Sequence, residues 1–458
     1  MQSRYRFTTA WLPDGWLRNV VISIDPVGDI VDIATEDAVT TARLINGAAI
    51  AGMPNVHSHA FQRAMAGLAE QRSDNGDSFW TWRETMYEHA SRMTPECLNA
   101  IAAQLYADML KAGYTSVCEF HYLHSHDDSR SHDARLAMCQ SLIDAAATAG
   151  IGMTLLPTLY QTSDFGAAPP TARQRQFTME TKHYLDLLGA LRQSPQRSAQ
   201  LEVGLAFHSL RAVPPESLKT VLDAQRDYAT LHIHIAEQER EVLACQQQFG
   251  QRPIEWLLEH ARPDRRWCLV HATHATTAEL QGIAAAGAVV GLCPTTEANL
   301  GDGIFPTETF LAAGGDFAIG SDSHISLSPI EELRWLEYQS RLLRRQRNVL
   351  VAKEGSGGSM LWRKACGAGA RVTGRNVGAL AVGKRADIVV LDLSSPLFAG
   401  RSDTAIIDTF VFSGDSESVR DVMVGGRWLV QDRKHFAETA VAAGYRRAVQ
   451  KLLKREGS

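Results

Sequence analysis

The chain has 458 residues, with 46 Lys and Arg against 51 Asp and Glu for a net charge of −5, and it is 45% hydrophobic and 21% charged. This balance excludes a disordered chain, and without a basic block it excludes nucleic-acid binding, which leaves a positive footprint. Seven cysteines with no C-x-x-C pair fit reduced thiols rather than a disulfide framework, and no apolar run is long enough to span a bilayer.

A chain of this length exceeds what one core usually serves, so a large barrel with an appendage, or two domains, is expected. The opening "MQSRYRFTTAWLPDGW" lacks the charged head and apolar stretch of a signal peptide, so the cytoplasm is the expected location. The first 48 residues read as short strands; in "NVVISIDPVGDIVDIA", Val20, Ile22 and Ile24 alternate with Val21, Ser23 and Asp25. From residue 49 the pattern changes to strands alternating with helices. In "TPECLNAIAAQLYADMLKAG", Thr94 is the N-cap, Pro95 the first helical residue and Gly113 the stop, with Leu98, Ile101, Leu105 and Met109 on one face.

Eight strand candidates follow in series: "AIAGMPNVHSH", "YTSVCEF", "IGMTLLPTLY", "LEVGLAFHSL", "ATLHIHIAE", "WCLVHATH", "AVVGLCPTTE" and "DFAIGSDSH". Most are separated by a helical segment, which predicts a closed (β/α)8 TIM-like barrel over 49–377, with a doubly wound sheet as the alternative. After Arg375 short strands return, "NVGALAVGKRADIVVLDL" and "SVRDVMVGGRWLVQ". Residues 1–48 and 378–435 are read as one small β-sandwich, and 436–458 as a C-terminal helix.

Barrel enzymes carry their chemistry at the C-terminal ends of the strands. Strand one ends in His57 and His59, strand five carries His232, His234 and Glu237, strand six ends in His271, and strand eight ends in Asp322. Residues two apart share a face, so His57 and His59 reach one point. A lone histidine at a strand end is an ordinary hydrogen-bonded residue, but coincidence at four strand ends points to three imidazoles and a carboxylate around one ion, most naturally Zn²⁺. His232 and His234 also share a face, and spacing alone does not choose between them; the three-residue step to Glu237 favours His234.

The set "NVHSH", "HIHIAEQ", "LVHATH" and "GSDSH" resembles the amidohydrolase superfamily, in its mononuclear metal-dependent deaminase branch, and "GALAVGKRADIVVLDL" resembles the sandwich strand of the same group. The resemblance implies His57, His59, His234 and Asp322 as ligands of one Zn²⁺ per subunit, with iron as the alternative, and Glu237, His271 and Asp322 as catalytic groups. Dinuclear relatives use a modified lysine at the end of strand four; "LEVGLAFHSLRAVPP" has none, which favours a single metal. Hydrolytic loss of ammonia from an sp² carbon is the implied reaction, in a homodimer.

For the substrate, Arg83 in "FWTWRETMY" and Arg211 in "FHSLRAVPP" are expected on loops rimming the mouth, where guanidinium forks hold carboxylates. "HSHAFQRAMAG", "WTWRETMY", "CEFHYLHS", "FHSLRAVPP" and "CPTTEANLGDG" resemble those members of the branch that act on formimino-amino acids. That resemblance implies Gln62 and Glu237 at the formimino group, with Arg83, Tyr122, His208 and Arg211 on a dianionic, amino-acid-derived tail. The implied reaction takes N-formimino-L-glutamate to N-formyl-L-glutamate and ammonia, in histidine degradation; the alternative is an aromatic nucleobase or pterin deaminase. Residues 120–133, with His121, His124, His126 and His132, read as a solvated loop in which only Tyr122 matters. Cys293 reads as a small buried thiol, and Phe79, Trp80 and Trp82 as a lid, a subunit contact or plain packing.

Overall fold

The structure, a computed structural model, describes residues 2–35, 41–70, 78–125, 130–193, 199–351 and 355–454. All eight barrel strands are present: Met53–Ser58, Tyr114–His121, Gly152–Leu159, Leu201–Val203 continued as Leu205–Phe207, Leu231–Ile235, Trp267–His271, Val289–Leu292 and Asp316–Ile319. Each pairs in parallel with its sequence neighbour. Strands one to three are buried along their whole length, and they bury polar side chains beside the apolar ones, among them Asn55, Ser58, Thr115, Glu119 and Thr154.

Strand eight closes on strand one beside the candidate ligands. Ser58 and Asp322 form a parallel bridge, with His59 N–H donating to Asp322 O at 3.1 Å and Asp322 N–H to His57 O at 3.0 Å. The bonds that close the barrel therefore also fix the depth of His57, His59 and Asp322.

The helix Pro95–Ala112 starts and stops as its sequence predicts. Thr94 accepts from Cys97 N, Pro95 occupies the first turn, and Gly113 adopts φ 101°. Strand four breaks at Gly204, a feature the sequence reading did not resolve. A Cβ there would lie 2.6 Å from Leu156 Cδ2 and 2.7 Å from Thr230 Cγ2. Gly204→Val is therefore expected to destabilise the barrel by about 1–3 kcal/mol through overpacking, measured as a lowered Tm; an unchanged Tm would show that the site has room.

The chain ends meet in one eight-stranded sheet. Ile388–Leu391 from the C-terminal segment lies antiparallel to Arg43–Ala51 from the N-terminal one, with Val390 opposite Ala49. Phe7, Val20, Ile22, Ile24, Ile388, Val390 and Met423 form its own core, giving the small sandwich beside the barrel. This segment also holds a helix, Ile406–Ser413, whose buried Ile406, Ile407, Phe410 and Val411 face the barrel side; Phe410 and Trp362 rings are 5.4 Å apart. The C-terminal helix runs Glu438–Leu453. Among the described residues no helix is long and apolar enough to cross a membrane.

Candidate active site

His57, His59 and His234 bring ring nitrogens within 4.8 Å of one another, and a ring nitrogen each of His57 and His271 lies equally close to a carboxylate oxygen of Asp322. His57 Nε2 lies 3.0 Å from His234 Nε2 and 3.6 Å from Asp322 Oδ1; His59 Nε2 is 3.4 Å from the same oxygen. On two of the three histidines the opposite ring nitrogen is tied to main chain, while His57 Nδ1 is buried without a partner. His59 Nδ1 donates to Phe120 O and His234 Nδ1 to His208 O, each at 2.9 Å, which turns the Nε2 lone pairs inward.

Burial, followed by the neighbouring imidazoles, pushes the pKa of His57 and His234 well below the ordinary value, and burial takes His59 down to about 3. Neutral imidazoles with converging lone pairs beside a carboxylate fit a divalent transition metal. His232 is placed elsewhere. Its Nε2 lies 2.7 Å from Val372 O and 3.2 Å from Thr230 Oγ1, deeper in the barrel and bonded to the end of the helix Gly357–Val372.

Strand ends five, six and eight hold non-glycine residues in the left-handed region: Ala236 (φ 49°), His271 (69°), Ala272 (49°) and Asp322 (45°). Such residues persist where neighbours over-determine them. Ala236 N–H and Glu237 N–H each donate to Glu241, at 3.1 Å, while Ala272 N–H donates to Ile235 O at 3.0 Å. The sharp turns bring Glu237 and His271 face to face, with Glu237 Oε1 3.8 Å from His271 Nε2 and Asp322 Oδ2 3.7 Å from it.

Burial raises the Glu237 pKa to about 7 and that of Asp322 to about 6. Burial also works to lower His271, but Glu237, the bonded Glu297 and Asp322 outweigh it and raise it to about 10. Glu297, which the sequence reading did not single out, has its Oε1 3.2 Å from His271 Nδ1. A signal for it existed: Pro294 opens the helix Pro294–Leu300, so a glutamate three residues on falls in the first turn, beside the strand end.

One cavity joins this cluster to every expected substrate residue: Gln62, Arg83, Tyr122, His208 and Arg211 line it with His59, His234, Glu237, His271 and Asp322. Gln62 Nε2 donates to Tyr122 OH at 2.9 Å, while Gln62 Oε1 and Arg83 Nε and Nη1 are buried without a partner. Arg211 is 8% exposed and donates from Nη1 to Ser163 O at 3.2 Å. Its position is a wall of the cavity rather than the rim.

Two local expectations are corrected. Arg83 is not on a loop but on the helix Phe79–Ala90, N-capped by Ser78; its guanidinium lies 4.5 Å from the Trp80 ring centroid. Phe79 and Trp82 of the same helix line the cavity. The expected solvated loop at 120–133 fails at its start, because strand two extends to His121 and both His121 and His124 are 1% exposed. The N–H groups of His124 and Ser125 donate to Gln176 O, and His124 Nε2 is 2.7 Å from Thr158 O. His126 lies outside the described residues, and His132 begins a helix. Cys293 is buried at a strand end as expected, and all seven cysteines are free and buried.

Residues 48–429 match the family model described as the amidohydrolase family. The chain is 50% identical over 445 residues to formimidoylglutamate deiminase of Pseudomonas aeruginosa, covering 97% of this chain and 98% of that protein. It is 29% identical to 8-oxoguanine deaminase of the same organism, over 83% of this chain and 82% of that one. Among solved structures, an amidohydrolase from Brucella melitensis superposes with a TM-score of 0.94 at 43% identity, covering 99% of this chain and 100% of that one.

Proposed function

The chain belongs to the amidohydrolase family, and within it we propose hydrolytic deamination of N-formimino-L-glutamate to N-formyl-L-glutamate and ammonia, as a step of histidine degradation. The observation that carries this reading is the charge layout of one cavity: Arg83 and Arg211 stand in the wall that also holds Glu237 and Asp322. A dianionic tail with a cationic amidine head needs that pairing of guanidiniums with carboxylates. The 50% identity to formimidoylglutamate deiminase over nearly the whole chain supports it.

His57, His59, His234 and Asp322 would hold one Zn²⁺. Once bound, such an ion lowers the pKa of a water towards ~7 and so supplies a nucleophile at neutral pH. Asp322, beside the imidazoles and 3.7 Å from His271, accepts the proton of the attacking water, and His271 orients it. Glu237 gives a proton to the departing nitrogen as the tetrahedral centre collapses, its carboxyl held near neutrality by burial. Gln62 Oε1, buried and without a partner, accepts from the formimino N–H. Arg83, Tyr122, His208 and Arg211 hold the two carboxylates and keep the head from rotating away.

Aromatic walls, Phe79, Trp82, Tyr87, Tyr160 and Phe177, favour a second reading, deamination of a flat ring. Arg211→Ala separates the two. Loss of a charge-assisted bond worth about 1.5–3 kcal/mol is expected to raise KM for formiminoglutamate roughly 10- to 100-fold, read by ammonia release. An unchanged KM would sink the dicarboxylate assignment. Ammonia release from formimino-acids, guanidino-acids and nucleobases, with metal content measured on the same preparation, tests the whole reading.

A further inference from the structure

Glu297 touches neither the imidazole cluster's inward nitrogens nor the substrate cavity, whose walls are formed by other residues. It holds the far side of His271. Its Oε1 lies 3.2 Å from His271 Nδ1 and accepts the Cys293 N–H at 2.9 Å, in a setting where both side chains are 2% exposed. On the near side, His271 Nε2 faces Glu237 at 3.8 Å and Asp322 at 3.7 Å.

An imidazole ring can rotate about its bond to the chain. A carboxylate that accepts from Nδ1 settles the rotation and the direction of Nε2, because the ring must keep Nδ1 in line and so turns Nε2 to the other side. The main chain does not settle them: His271 and Ala272 are both left-handed, and the side chain is the link between this turn and the helix Pro294–Leu300. Cys293 N–H in turn anchors the carboxylate, so the holder is itself held.

We propose that Glu297 is a positioning residue for the deamination: by accepting a hydrogen bond from His271 Nδ1 it fixes the ring so that Nε2 faces Glu237 and Asp322. This rests on the reading of His271 as the group that orients the attacking water.

The test compares Glu297→Leu, which removes the acceptor, with Glu297→Gln, whose amide oxygen can still accept from Nδ1 and from Cys293 N–H. Glu297→Leu is expected to lower kcat about 10- to 100-fold with KM within about threefold and unchanged metal content, and Glu297→Gln to recover most of it. A kcat preserved in folded Glu297→Leu overturns the proposal, as does a Glu297→Gln protein as slow as the leucine variant. If the leucine variant does not fold, wild-type protein carrying ¹⁵N-histidine decides. The resonances missing from His271→Gln must show a protonated Nδ1, and a bare Nδ1 overturns the proposal. Absence of ammonia from wild-type enzyme and formiminoglutamate would condemn the substrate reading instead, and the nitrogen spectrum, which needs no substrate, would still decide the role of Glu297.

Discussion

Glu237→Gln is expected to lower kcat for ammonia release by about 10²–10⁴-fold, the range of a lost general acid, while the bound metal stays at its wild-type level. The two readouts separate because of where Glu237 sits. Its carboxyl lies 3.8 Å from His271 but outside the groups of side chains that could hold an ion. Its backbone is braced by the Glu241 carboxylate through two N–H bonds, which a change of side chain leaves in place. Glutamine keeps the size and can accept a hydrogen bond, but it has no proton to give to a leaving nitrogen. Kinetics by coupled ammonia detection and metal analysis of the same sample check this. Retained turnover would refute the acid role, and loss of the metal would move Glu237 into the ion's own ligand set. The same variant distinguishes an enzyme from a barrel that only binds its ligand, since a binding protein would lose nothing.

What the sequence displayed of this site was what is local. Eight strands were legible because short strand-like segments alternate with helical ones along the chain, and the helix Pro95–Ala112 was legible because Thr94, Pro95 and Gly113 mark its ends. The two β-rich ends were legible and were read as one unit, but the register that joins them, Val390 opposite Ala49, spans more than three hundred residues and leaves no local trace. Arg83 was misplaced on a loop although Phe79, Trp82 and Met86 stand at i, i+3 and i+7, a helical spacing, and Ser78 offered an N-cap; "FWTWRETMY" was read only as a rim beside strand one. The left-handed turns at Ala236, His271 and Asp322 had no signal at all, since glycine, the usual mark of such a turn, is absent from all three positions. Those turns aim Glu237 and His271 at each other. Sequence could name the two residues but could not bring them to 3.8 Å.

The pair His232 and His234 gives the second large effect, because period two puts both on one strand face and only depth separates them. His234→Ala is expected to remove the metal and lower turnover by at least roughly 10³-fold, the scale of losing an ion that contributes several kcal/mol to the barrier. It takes away one of three converging imidazoles, the one 3.0 Å from His57 Nε2. His232→Ala should act on stability. Its ring is fully buried and bonds Val372 O and Thr230 Oγ1, so truncation leaves a cavity and removes a buried hydrogen bond, worth about 2–5 kcal/mol together, while Val372 O keeps the Thr230 hydroxyl. Its metal content should stay near one per chain and kcat within about threefold of wild type. Elemental analysis after dialysis, thermal unfolding and ammonia release, measured on both variants before and after added Zn²⁺, give the comparison. If His232→Ala loses the ion while His234→Ala keeps it, the ligand belongs to the deeper residue and the cluster has been assembled one layer too high in the barrel.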